Sequence, residues 1–451
     1  MLNKTNNKLL FVENRQKTIF WEELAIELLK QDYEVYWIVQ NHNLEPKVGK
    51  VYKISYPSHR DKIENNYDSE IFDYISSTDR MINYFGYNNC HYGHYYKCIS
   101  NIISDIKPDY IIGESTLFHE IISIAIAKSK NITYLNPVSI AYPPNKFSFF
   151  KGGSIDTLGL SGDVLDLTQC SDLIKDISTK AIIPSYIKKA IVANGERNVI
   201  DTFSYKLKTL IPYLLGERYN TPSPVKKILK NKQTNRIQKK WDKLCSERKT
   251  FSEVEKTILY PLQLQPEANL DVYGNSFRDQ TKIVYEISRQ LPENWSLLVK
   301  PNPKSKYEMS SELFELIKST KNITPIGPSL TMSEIFSDID IVITVTGTIA
   351  QECFFSDKPL GFFGPSVIEA FLPKSKLRIY SDIKSLISKV ESGSYQFSSK
   401  NEKIELVKLL ANTSYTGLIS DPFHDPDCIS NENIKRVSQH FLNLFETLEN
   451  K

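Results

Sequence analysis

The chain has 451 residues, 41% hydrophobic and 24% charged, with a formal net charge of +3. That length suffices for two domains with separate cores, and the near balance of charge argues against a protein built to bind nucleic acid. No apolar run approaches the roughly 20 residues needed to cross a bilayer, and the opening residues 1–8 are too polar for a signal peptide, so a cytoplasmic protein is expected.

In chain order, Lys8–Val12 reads as a first strand, Ile19–Leu29 as an amphipathic helix and Tyr33–Gln40 as a second strand, a βαβ opening. The stretch from Cys90 to Ile106 has apolar residues at helical spacing. Cys90, His94 and Cys98 on one face of it resemble a zinc set, but Tyr92, Tyr95, Ile99 and Ile103 mark a packed helix instead. Asp109–Glu114 repeats the strand pattern, followed by a helix over Leu117–Lys128 and a strand over Ile132–Leu135. The alternation predicts a doubly wound α/β domain. From Asp163 to Leu215 the pattern turns helical and irregular. Pro222-Ser-Pro224 and a basic block, Lys226 to Lys240 followed by Trp241, then mark a boundary. That block reads as a solvated helical linker or as a patch for anionic lipid.

A second α/β unit follows, with strands over Thr257–Gln263, Ser296–Lys300, Ile339–Thr344 and Pro359–Gly364 and helices over Gln280–Gln290 and Ser310–Ser319. Glu432–Leu448 closes the chain as a helix with Ile434, Val437, Phe441, Leu444, Phe445 and Leu448 on one face. The expected fold is therefore α/β of GT-B architecture: two Rossmann-like domains facing a cleft, with a C-terminal helix crossing back. The expected boundaries are 1–248, 249–420 and 421–451. Six cysteines without repeated spacing predict reduced thiols.

The richest motif is Ile341–Glu352, where a β-branched run enters Thr346-Gly347-Thr348 and then a helix. Backbone N–H groups at a helix N-terminus suit a phosphate; the plain alternative is a turn into the helix and nothing more. Glu352, four residues past Thr348, either holds a ribose hydroxyl or complements the helix dipole. Glu267 follows Pro266 after a strand and so projects either towards a ligand or into solvent; Asp279 suits a helix N-cap. In the first domain, Gly113-Glu114-Ser115-Thr116 ends a strand, where open α/β sheets place their ligands. Glu114 is the catalytic candidate, as a general base or as a nucleophile, against the alternative of a bystander beside a helix cap. Glu13, Glu120 and the acids of 163–166 stand next in line, and His119 reads as a packing or surface residue.

Leu264–Asn269, Gly274–Gln280, Leu291–Trp295, Val299–Pro303 and Val345–Glu352 together resemble the capsule polysaccharide biosynthesis glycosyltransferases of the KpsC and KpsS β-Kdo transferase type. Phe11–Asn14 and Glu34–Gln40 are similar to the same family. The resemblance implies a GT-B enzyme that moves an acidic ulosonic sugar from a CMP-sugar to a glycan or lipid-linked acceptor at the inner face of a bacterial membrane. It implies Gln265 and Glu267 near the cytidine, Lys300 and Asn302 near phosphate, and Thr346, Gly347 and Thr348 at the phosphate-binding turn. The family places a His where this chain has Asn302, which can donate a hydrogen bond but carries no charge. No metal and no cofactor are expected, because no Asp-x-Asp of the metal-holding kind stands at a strand end and no Walker A or Gly-x-Gly-x-x-Gly loop is present. The competing readings are a GT-B enzyme using a UDP-sugar, a polyol-phosphate transferase, and a non-catalytic membrane-docked assembly protein.

Overall fold

The computed structural model describes residues 7–58, 69–182, 210–248, 256–302 and 305–450. The chain divides into two compact units. Unit 1 comprises 1–165, 183–224 and 408–451, and unit 2 comprises 166–182 and 225–407.

In unit 1, β1 (Lys8–Val12), β2 (Glu34–Val39), β3 (Lys50–Lys53), β4 (Tyr110–Ile112) and β5 (Thr133–Ser139) form a parallel sheet in the order β3-β2-β1-β4-β5. Leu9, Leu10, Phe11 and Val12 are all fully buried, as expected for a central strand covered on both faces. Phe11 stacks on Trp37 of the neighbouring strand with ring centroids 4.8 Å apart. Beyond β5 the sheet continues antiparallel through β6 (Lys146–Lys151), whose far edge pairs β7 (Thr157–Leu158) towards one end and the strand Tyr415–Thr416 towards the other. The C-terminal helix Asn431–Glu449 packs on the helix Thr18–Leu29. Ile434, Val437, Phe441, Leu444 and Phe445 lie in the same core cluster as β1.

Unit 2 repeats this arrangement. Here β8 (Lys256–Pro261), β9 (Trp295–Lys300), β10 (Ile323–Pro325), β11 (Ile341–Thr344) and β12 (Leu360–Phe362) are all parallel, in the order β10-β9-β8-β11-β12. In both units the strand order reverses beside the first strand, at β1/β4 and at β8/β11. Each such switch point leaves a crevice at the C-terminal ends of those strands. The chain is thus a mixed α/β protein of two Rossmann-like units.

Several features depart from the sequence reading. The basic stretch is not a linker between cores but the helix Pro224–Glu247, whose Ile237, Trp241 and Leu244 enter the unit 2 core. The Trp241 indole donates to Ile326 O at 3.0 Å. Unit 2 accordingly begins at 225 rather than 249, and the return to unit 1 begins at 408 rather than 421. The short strands β3 and β10 and the antiparallel β6 were not expected. Of the irregular stretch 163–215, residues 183–209 lie outside the described residues, as does Pro303. None of the six cysteines is in a disulfide.

Candidate functional site

In unit 2 the loop after β8 is clasped by Gln280. Its Oε1 accepts the Gln263 amide at 2.7 Å and its Nε2 donates to Gln263 O at 2.8 Å and to Gln265 Oε1 at 3.0 Å. Asp279 caps that helix through Lys282 N. Gln265 is buried, and its Nε2 donates to Asp271 Oδ1 at 2.9 Å and to Arg278 O at 3.2 Å. Both ends of its amide are therefore engaged within the protein. Buried Asp271 also accepts the Glu267 amide at 3.1 Å, holding the backbone at Glu267 while that residue remains exposed. Glu308, which sequence reasoning missed, accepts the amides of Gln265 and Lys306, and burial raises its pKa.

Across the switch point, Thr346 is buried and its hydroxyl donates to Asn269 O at 3.1 Å and to Gln263 Oε1 at 3.3 Å. Thr346 thus ties the two loops together. Gly347 follows at φ +94, a backbone conformation nearly restricted to glycine, and caps the helix Thr348–Phe355 with no side chain. Gly347 is exposed and Thr348 half-buried, so this helix end faces open space. Glu352 is the fifth residue of the helix, past its first turn, so it does not complement the N-terminal dipole. Instead it ion-pairs with Lys180, whose ammonium also lies 4.0 Å from the centre of the Phe336 ring.

Lys300 ends β9, in register with Pro261 of β8. It is only 4% exposed, and among the described residues its ammonium has no hydrogen-bond or ion-pair partner. Burial lowers its pKa, opposed by the charge of Glu334. A buried ammonium whose counter-charge is not in contact is costly, and an anionic ligand against it lowers that cost. Two strand spacings put Lys300 about 10 Å from the β11 row, on the same sheet edge as Gly347. Asn302 lies just beyond in a turn whose carbonyl accepts from Ser305 N at 2.9 Å.

In unit 1 the switch point is a dense polar network. Glu114 follows β4 and Gly113; a Cβ at Gly113 would come within 2.4 Å of the Tyr134 hydroxyl. Glu114 ion-pairs with Lys17, and its Oε2 accepts from Asn14 Nδ2 at 3.0 Å. The same Asn14 nitrogen lies 2.8 Å from Glu120 Oε1, so one amide ties the two carboxylates together. Glu120 is fully buried at the start of the helix Phe118–Ser129. It accepts the backbone N–H groups of Glu114, Thr116 and Leu117 and the Thr116 hydroxyl at 2.9 to 3.1 Å. Burial first, and then the Glu114 charge, push its pKa up to about 7. Ser115 is buried against Asn136 and takes no place at the surface of the site.

Glu13 is buried, with its pKa raised by burial, and accepts Arg15 N at 2.6 Å and Asn41 N at 3.0 Å. His119 is no surface residue. It is fully buried, its Nε2 lies 2.8 Å from Glu13 O and its Nδ1 lies 3.2 Å from Asn220 Nδ2. Those partners call for a neutral ring with the proton on Nε2, and burial lowers its pKa accordingly. Asn14, Lys17 and Glu217 were missed in the sequence, though Glu13 and Glu120 stood as second choices to Glu114. By contrast Asp163 lies elsewhere, paired with Lys146.

The zinc-like set does not assemble. His94 Nε2 lies 2.7 Å from Ser55 O and 3.7 Å from Cys98 Sγ. Among the described residues no group of three or more His, Cys, Asp or Glu is arranged to hold a metal ion, and no helix is long and apolar enough to cross a membrane.

No protein-family model matches the chain, and no curated protein matches it in sequence. Among solved structures, the KpsC β-Kdo 2,7 transferase of Thermosulfurimonas dismutans is 11% identical, with 92% of this chain and 93% of that one covered and a TM-score of 0.38. A glycosyltransferase of Rickettsia africae is 12% identical over 99% of this chain and 100% of that one, with a TM-score of 0.30. The UDP-GlcNAc 2-epimerase of Methanocaldococcus jannaschii is 12% identical over 90% and 99%, with a TM-score of 0.26. Likeness of this degree assigns neither donor nor reaction.

Proposed function

We propose that the protein is a glycosyltransferase that uses a CMP-activated acidic sugar, a ulosonic acid such as Kdo or a nonulosonic acid, and transfers it to a glycan or lipid-linked acceptor of a bacterial surface polysaccharide. The observation that carries the reading is Lys300, a buried ammonium without a partner, on the same sheet edge as a helix that begins on bare glycine. A nucleotide phosphate supplies the missing charge, and the amides after Gly347 with the Thr348 hydroxyl supply donors for its oxygens. In this reading Asn302 adds a neutral donor and Glu352 offers its second carboxylate oxygen to the ribose. Gln265 shapes the base-binding loop from within, while exposed Glu267 reaches the base. As the bond to the sugar breaks, Lys300 and the helix end stabilise the negative charge left on CMP. Unit 1 supplies Glu114 to take the proton of the acceptor hydroxyl or to attack the anomeric carbon, with Lys17 and Asn14 holding its carboxylate. No step draws on a metal or other cofactor. The choice of cytidine rests on the resemblance around Leu264–Asn269 and Val299–Pro303.

Calorimetric titration tests the donor. CMP is expected to bind more tightly than UMP or GMP, and Lys300→Ala to weaken it by roughly 1.5–3 kcal/mol, the usual worth of a charge-assisted hydrogen bond. Equal affinity for the three nucleotides removes the donor assignment.

A peripheral site at the inner face of the membrane fits the helix Pro224–Glu247. Arg236, Lys239 and Lys240 are exposed there, and Val225, Ile228 and Leu229 are 66%, 55% and 61% exposed at its start. Apolar side chains beside lysines suit an anionic lipid surface. Binding to phosphatidylserine vesicles should fall as salt rises and weaken in Lys239→Gln/Lys240→Gln; salt-independent binding excludes the electrostatic attachment.

A further inference from the structure

Immediately beyond β1, two guanidinium groups converge on one backbone carbonyl. Arg15 Nη2 donates to Asn220 O, and Arg80 Nη2 lies 3.3 Å from the same oxygen. Among the described residues neither has a carboxylate within ion-pairing distance. The nearby acids are occupied elsewhere. Asp79 accepts the Tyr92 hydroxyl and the Met81 amide, each at 2.7 Å. Glu217 accepts Gln40 Nε2, the amides of Tyr219 and Asn220 and the Thr221 hydroxyl. Glu13 and Glu120 are committed to the backbone donors named above. A carbonyl oxygen satisfies one N–H of each fork and leaves the other donors unanswered, while the charges of Asp79, Glu217 and Glu120 only partly offset the burial of Arg80. Burial, and then the Arg15 charge, pull the Arg80 guanidinium down to about 9. Both residues are half-buried, neither sealed in the core nor swept by solvent. Arg15 is held at φ +44, uncommon for a residue with a side chain, and it directly follows Asn14, the residue that grips Glu114.

We propose that Arg15 and Arg80 form a binding site for a phosphoryl group at the β1/β4 switch point, beside Glu114. Two adjacent forks match the oxygens of a phosphate monoester, whose charge near −2 they neutralise together; a carboxylate monoanion answers only one of them. The site's residues belong to unit 1, whereas Lys300 belongs to unit 2. It rests on the proposed glycosyl transfer only for the further statement that the phosphoryl group belongs to the acceptor.

The test uses the full chain carrying Lys300→Ala, which disables the site in unit 2, and titrates it calorimetrically with inorganic phosphate and with acetate. Phosphate is expected to bind, acetate to bind at least several-fold more weakly, and Arg15→Gln or Arg80→Gln to lower phosphate affinity by about 10-fold or more. Should Arg80→Gln fail to fold by circular dichroism, the half-buried Arg15→Gln carries the test alone. No phosphate binding in the Lys300→Ala chain, unchanged affinity in the arginine variants, or acetate binding as tightly as phosphate overturns the proposal. Phosphate binding that survives while CMP fails to bind the wild-type chain sinks the donor assignment and leaves this site standing.

Discussion

At the β1/β4 edge the helix Phe118–Ser129 begins on Leu117 and carries Glu120 as its third residue; at the β8/β11 edge the helix Thr348–Phe355 begins on Gly347 and carries Ala350 there. Glu120 turns back and takes up the amides of Glu114, Thr116 and Leu117, so the positive end of the first helix is answered by the protein's own carboxylate. Ala350 has no group with which to do this. The second helix end opens on an exposed glycine with no side-chain cap, which is where the proposed function seats an anion. The same strand order therefore yields in unit 1 a helix end closed by the protein's own carboxylate, and in unit 2 a helix end that opens on glycine, on the sheet edge that carries buried Lys300. The closed edge suits chemistry: it fixes Glu114 with Lys17 and Asn14 around a plug that does not leave. In the proposed function the open edge is the one that binds a charged nucleotide reversibly.

Glu114→Gln sharpens this contrast with the largest expected effect. Transfer should fall by about 100-fold or more, the lower range for loss of a general base or nucleophile, while CMP affinity stays unchanged because the proposed nucleotide site is built from unit 2 residues. Intact-mass spectrometry of the wild-type chain with donor alone separates the two chemistries, since a sugar adduct marks a nucleophile and its absence a base. Near-normal turnover in the variant removes Glu114 from the mechanism and breaks the assignment of chemistry to the closed edge.

Much of this architecture was legible because parallel sheets write themselves plainly: Lys8–Val12, Trp295–Lys300 and Ile341–Thr344 are short apolar runs bounded by turn residues. The edge strand Lys50-Val-Tyr-Lys53 was not, since half of it is solvated and its pairing with β2 is a long-range choice. Gly347 could be read as a special position because so few residues tolerate its backbone, and Lys300 because a charge closes an apolar strand. The Glu120 plug was only half visible. A Glu at the third position of a helix is a capping signal, but nothing local shows that the same carboxylate is bridged to Glu114 through Asn14, over a hundred residues away in sequence. Gln265 misleads for the converse reason. A polar side chain after a strand looks available to a ligand until Asp271, Arg278 and Gln280 are folded around it. The pairing of Arg15 with Arg80 on Asn220 O joins three distant segments and has no signature at all.

Glu120→Gln probes the plug itself, with a smaller effect that changes with pH. A glutamine keeps one accepting oxygen and turns an NH2 towards donors that formerly met the other, so the backbone amides on that side lose their acceptor. The cost is about 1–3 kcal/mol of stability, read by denaturant unfolding. The pH dependence follows from the sign of the shift. Glu120 titrates near 7 in the folded chain against a usual value of 4.5, because burial outweighs the donors that favour its ionised form. Between those values the folded state holds a proton that the unfolded state has released. This group's contribution is therefore fully present below about 4.5 and lost as pH rises through about 7. The glutamine variant has no such titration, so the stability gap between wild type and Glu120→Gln should be widest near pH 4.5 and narrow by pH 8. A gap that instead widens with pH would show the carboxylate held ionised by its donors. The closed edge would then be a permanent anion at the helix end, and Glu114 would sit beside a second negative charge throughout the working range.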